Sequence, residues 1–127
     1  MSSYGEAAVA AAHLCQKQGL DPVSAWTRAV ARHLSTEEGR KKSCPKSTFL
    51  GLCEEGLIKD VPRGAYTRSH LNKAYALRAL ELLNAQPALA AQGSDLWRAV
   101  MAGEQKRSNS QMEVVIALWS AGMCEAR

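Results

Sequence analysis

Apolar residues recur along the chain at three- and four-residue intervals, the period of helices that bury one stripe and wet the other. The first such segment runs from about Tyr4 to Gln18, is rich in alanine, and stops at Gly19, a residue suited to a left-handed helix cap. In "LDPVSAWTRAVARHL", Asp21 is the expected N-cap and Pro22 the first helical residue. Val23, Trp26, Val30 and Leu34 form the core-facing stripe of this second helix, over 22–34. "STEEGRKKS" has no large apolar side chain and predicts a solvated connection. A short helix then runs from Pro45 or Lys46 to about Glu55 and ends at Gly56. "SHLNKAYALRALELLNA" gives the strongest helical pattern: Ser69 caps it, Leu71, Tyr75, Ala79 and Leu82 face one way, and Pro87 follows its end. Ser94 is the expected cap of "DLWRAVM", and Met112, Val115, Ile116 and Trp119 form a last stripe before Gly122.

These elements predict an all-α, orthogonally packed single domain over 1–127, with five or six helices and one short turn or hairpin near residues 57–68. The stretch that departs from helical spacing is "CPKSTFLGLCEEGLIKDVPRGAY", residues 44–66, which holds three of the nine glycines and two of the four prolines. Within and just after it, "LIKDV" and "AYTRS" are candidate strands around a tip at Pro62, Arg63 and Gly64. The residues also suit a structured corner. Phe49, Leu50, Leu52 and Cys53 can bury one side of a helix, and Gly51 would let a neighbouring helix approach. Gly56 would supply a left-handed cap, Leu57 and Ile58 would enter the core, and Gly64 would allow a turn. Tyr66 would anchor the chain, its hydroxyl reaching water or a backbone partner.

Composition narrows the class without changing this picture. With 127 residues, 46% hydrophobic and 22% charged, the chain can bury a core and has no disordered bias. No apolar run approaches the ~20 residues of a membrane span, and the N-terminal segment lacks a basic region and a cleavage site. A cytoplasmic, membrane-free protein is expected. Cysteines at 15, 44, 53 and 124 lack an export signal and are expected to be free thiols. No zinc-ligand spacing, HExxH or GxSxG is present, and "CPKST" has Pro45 where a phosphate loop needs glycine. No metal, cofactor or catalytic set is therefore assigned. His13 and His33 fall on largely apolar helix faces and are expected to be structural. Glu54 and Glu55 are adjacent, about 100° apart on a helix, and cannot form an opposed acid/base pair.

Charge adds the functional expectation. The net charge is +4, and residues 40–73 hold eight Lys or Arg against three acids, so the positive charge is local. The candidate binding residues are Arg40, Lys41, Lys42, Lys46, Lys59, Arg63, Arg68 and Lys73. They point to a small non-enzymatic binding protein with an acidic partner, nucleic acid before others. The segment resembles the tail of a winged helix-turn-helix, with Arg63 at the tip, but the connection from the preceding helix is about ten residues rather than the three or four of that motif. An alternative centres on Cys44: as N-cap before Pro45, beside Arg40, Lys41, Lys42 and Lys46, its thiolate would be favoured, as in a thiol-dependent enzyme or redox sensor. A helical protein-interaction module is the third reading. Oligomeric state is left open.

The pattern Cys-Pro-Lys, Phe-Leu-Gly-Leu-Cys, Gly-Leu-Ile and Pro-Xaa-Gly-Xaa-Tyr resembles a family of short, uncharacterised bacterial proteins. The resemblance spans roughly residues 22–84, with an echo in "MEVVIALW". It implies a compact bacterial domain and carries no activity with it.

Overall fold

The computed structural model of the chain describes residues 2–125. Six helices of nine residues or more carry the fold: α1 (Ser3–Gln18), α2 (Pro22–His33), α4 (Ser43–Glu54), α5 (His70–Ala85), α6 (Gly93–Met101) and α7 (Gln111–Ser120). A single helical turn, α3 (Glu37–Arg40), and a 3-10 turn at Pro87–Ala91 complete the set. The described residues contain no strand; Ile58 and Cys124 form one isolated antiparallel bridge.

Local chemistry explains most boundaries. Ser2, Asp21, Thr36 and Ser69 each accept a backbone N–H of the first turn that follows them, as N-caps do. Gly56 closes α4 at φ +71, where Leu57 N–H donates to the Leu52 carbonyl and Gly56 N–H to that of Cys53. This paired pattern satisfies the last carbonyls of the helix and turns the chain sharply. Two expected starts are wrong. α4 begins at Ser43 with Lys42 as N-cap and no side-chain cap bond, so Pro45 is its third residue. α6 begins at Gly93 rather than after Ser94. "STEEGRKKS" is not a plain connection either: Thr36 caps the α3 turn, and Tyr4 Oη donates to the Gly39 carbonyl at 2.7 Å.

α1 and α2 pack as an antiparallel pair, with Glu6 near the start of α1 only 3.7 Å from His33 at the end of α2. Four fully buried alanines (Ala7, Ala8, Ala11 and Ala12) let α1 sit close to its neighbours α2 and α7. α7 touches α1, α4, α5 and α6, which is why its sequence is apolar almost all round. Trp26 stacks on Phe49 with ring centroids 5.5 Å apart, joining α2 to α4. Tyr75 meets Trp97 edge-on at 5.3 Å, joining α5 to α6. The expected stripe of α5 holds at Tyr75 and Ala79, which are buried; Leu71 is 52% exposed and Leu82 half-buried, and Ala76, Leu80 and Leu83 complete the buried face.

The corner of residues 55–69 holds the turn of the two forms expected, at Lys59 and Asp60, and is otherwise irregular, with no hairpin. "LIKDV" and "AYTRS" do not pair with each other. Lys59 N–H donates to the Met123 carbonyl and Glu125 N–H to that of Leu57, so the first segment pairs with the chain after α7. The expected close approach at Gly51 is present: a Cβ there would lie 2.9 Å from the Cα of Lys73 on α5. Gly64 serves a different need from the turn expected of it, because a Cβ would stand 2.6 Å from the Tyr66 ring. The Tyr66 hydroxyl donates to the Pro62 carbonyl at 2.7 Å, the backbone option of the two expected.

Candidate functional site

The eight basic residues of 40–73 do not form one surface. Arg40, Lys41 and Lys46 line a cleft of about 390 Å³ walled by Trp26, Thr27, Val30 and Ala31 of α2. Glu37 is the acid in its lining. The α3 turn builds this arrangement: Thr36 caps it, and Arg40 Nε donates to the Leu34 carbonyl at 2.7 Å, holding the guanidinium against the end of α2. Lys42 is exposed at the start of α4, next in the chain to this group.

The other end of the segment behaves differently. Lys73 Nζ lies 2.7 Å from Glu54 and 2.9 Å from Glu55, and this clamp neutralises a cation expected to bind a partner. Glu54 also accepts the backbone N–H groups of Tyr66 and Thr67, at 2.8 and 3.2 Å. The Lys73 ammonium, followed by the Thr67 and Tyr66 N–H groups, holds the Glu54 carboxyl down at about 2. Glu54, with Glu55 second, in turn raises the pKa of Lys73. The adjacent glutamates are therefore a structural clamp on the corner, a role their side-by-side spacing allows. The Arg63 side chain lies over Gly56, where a Cβ would come within 2.8 Å of its Cγ. Lys59 and Arg68 are exposed on the same irregular stretch. The concavity beside them is lined by Gly56, Ile58, Asp60, Val61, Pro62 and Glu125, which bring carboxylates rather than cations. α4 alone is about 18 Å long, so Lys42 and Arg63 sit at opposite ends of a rod.

Cys44 is not the N-cap that the alternative reading required. It lies inside the first turn of α4, half-buried, and its carbonyl accepts the Thr48 hydroxyl at 2.8 Å. All four cysteines are free. Burial pushes the Cys15 and Cys124 thiols up to about 11 and that of Cys53 well above its ordinary value. No group of three or more His, Cys, Asp or Glu among the described residues could hold a metal ion.

A second cationic cleft escaped the sequence reading. His13 and Lys17 of α1 face Arg28, Arg32 and His33 of α2 across a groove of about 410 Å³. His13 is exposed, away from the apolar face expected of it, whereas His33 is half-buried with Glu6 3.7 Å away. The signal was present in α2, whose twelve residues include Arg28, Arg32 and His33 but no acid. Counting charge by stretches of chain hid it, because these cations fall outside 40–73.

The fold and these two clefts define a small all-α protein that displays cations on both sides of one helix. The chain belongs to DUF6979, a family of unknown function, whose family model matches residues 1–125. That match extends the resemblance seen over 22–84 to nearly the whole sequence. No curated protein and no solved structure matches the chain. No helix among the described residues is long and apolar enough to cross a membrane.

Proposed function

We propose that this protein is a non-enzymatic binding protein that engages nucleic acid through the basic surface at Arg40, Lys41, Lys42 and Lys46. The observation that carries the reading is the convergence of Arg40, Lys41 and Lys46 on one cleft, beside the exposed Lys42. Phosphate oxygens are the anions such a group serves best, because several cations can each displace a condensed counterion. Lys73 drops out of the site, since two carboxylates already hold it. Arg63 drops out because it lies at the far end of α4.

The test is the salt dependence of binding to a mixed-sequence duplex. Four phosphate contacts would weaken binding by roughly 10²-fold between 50 and 200 mM salt. Replacing Lys41, Lys42 and Lys46 together by Ala is expected to lower affinity and remove about 0.9 of logarithmic salt slope per lost contact. Arg63→Ala is expected to leave both unchanged. Absence of salt-sensitive binding to duplex or single strand at low ionic strength would refute the proposal.

A further inference from the structure

The helix between the two clefts offers more than a phosphate grip. α2 buries Pro22, Ala25, Trp26, Ala29 and Val30 and exposes Ser24, Thr27, Arg28, Ala31 and Arg32. The exposed set has the i, i+3, i+4, i+7, i+8 spacing of a single helix face. A cleft runs along each flank of that face, one of about 410 Å³ against α1 and one of about 390 Å³ against α3 and α4. That face lies between the clefts: Arg28 and Arg32 line the first, and Thr27 and Ala31 the second. Each cleft also carries cations from beyond α2: Lys17, beside His13, in the first, and Arg40, Lys41 and Lys46 in the second. Glu37 lines one groove, Glu6 lies 3.7 Å from His33 and Asp21 caps the start of α2, whose own twelve residues carry no acid.

We infer that α2 is the reading helix of a duplex-DNA interface, its exposed face turned into the major groove, with Lys17 on one flank and Arg40, Lys41 and Lys46 on the other facing the phosphates of the two strands. The inference rests on the nucleic-acid reading above and goes beyond it by naming the element that contacts bases. A helix with its side chains is about 10–12 Å across and the major groove about 12 Å wide, so the face of α2 can enter it and the α1–α2 pair together cannot. The chemistry agrees as well. Arg28 and Arg32, one turn apart, are the side-chain type that pairs bidentately with guanine O6 and N7, and Ala31, on the other side of the face, suits a thymine methyl. Both arginines are exposed, and among the described residues their one polar contact, Arg28 Nη1 to Gln18 Oε1, is long at 3.4 Å. The arrangement is not a helix-turn-helix. α1 runs antiparallel to α2 and contributes a flank, whereas that motif sets its two helices at about 90–120°.

The experiment is a selection by the full chain from a duplex library with a randomised centre, followed by affinity measurements on the enriched and scrambled duplexes. A guanine-containing site is expected to emerge. Arg28→Ala and Arg32→Ala are each expected to cost roughly 5- to 150-fold on that site and much less on the scrambled duplex. Replacing the contacted guanine by 7-deazaguanine is expected to reproduce the loss with wild-type protein. Lys17→Ala and Lys41→Ala are expected to weaken both duplexes alike and to reduce the salt slope. Far-UV circular dichroism of each variant checks that α2 remains helical. If no site is enriched, and the two arginine variants bind as wild type while the Lys41, Lys42 and Lys46 variant does not, the inference fails and the broader reading stands. Tighter binding of single strands than of duplexes would also overturn it. Absence of any binding by wild type would remove both.

Discussion

Replacing Glu54 by Gln isolates the charge of the clamp that closes the corner, with little change of shape. In the wild type one carboxylate accepts two backbone N–H groups, from Tyr66 and Thr67, and the Lys73 ammonium at 2.7 Å. Hydrogen bonds to charged groups contribute about 1.5–3 kcal/mol each when lost singly. The depression of the carboxyl from 4.5 to about 2 sets a ceiling of roughly 3 kcal/mol for the charge itself. Two facts lower that figure. Glu55 stays within 2.9 Å of Lys73, and the Glu54 side chain keeps 13% of its surface in water. A loss of about 2 kcal/mol at pH 7 is expected. The pH dependence identifies the cause. Because the folded-state value is depressed, the contribution is complete above the unfolded value near 4.5 and is lost as pH falls towards 2. Urea denaturation followed by circular dichroism should therefore show a wild-type advantage that shrinks by about half at pH 3. A difference below about 0.5 kcal/mol at pH 7, or one that stays constant down to pH 3, would refute the reasoning. Repeating the change in a Lys73→Met background should reveal a coupling of about 1 kcal/mol between the two residues.

Gly51→Ala is expected to destabilise by about 1–3 kcal/mol despite the better helix propensity of alanine. Its Cβ would press on the backbone of α5 at Lys73, and a thermal melt unchanged from wild type would show that the two helices can part at no cost. Limiting alkylation of the native protein at pH 7, mapped by mass spectrometry, is expected to modify Cys44 first. Burial holds the other three thiols protonated, and faster labelling of Cys15, Cys53 or Cys124 would contradict their placement.

What the sequence made legible was what local chemistry decides. Asp21–Pro22, Ser69, Gly19, Gly56 and Gly122 mark helix ends because each satisfies or redirects nearby backbone groups, and all five do so in the structure. Gly51 could be read as a close approach because its cost inside a helix demands a reason. The start of α4 could not be read, since Lys42 offers no capping side chain and Pro45 is acceptable anywhere in a first turn. The hairpin was a reasonable misreading. "LIKDV" and "AYTRS" have strand-like composition, but a carboxylate twelve residues away takes the N–H groups that a strand partner would have taken. The basic segment was legible as a count and not as a surface. Lys73 is consumed by acids at the end of a neighbouring helix, and Arg28 and Arg32 line a second cleft from outside the segment. Such pairings depend on tertiary packing, which charge along the chain does not encode.

The alanine face of α1 has a consequence for synthesis. α1 and α2 are adjacent in sequence and can pair as soon as both have left the ribosome. α7, which also packs against α1, follows roughly ninety residues later. At about 5–20 residues per second, that interval is roughly 5–18 s, far longer than helix or hairpin formation requires. During it α4, α5 and α6 emerge, but the part of the α1 surface that α7 covers still lacks that partner. Slow translation in the second half of the message would lengthen the exposure, and chaperone demand in the cell should follow the arrival of α7 rather than the stability of the finished fold.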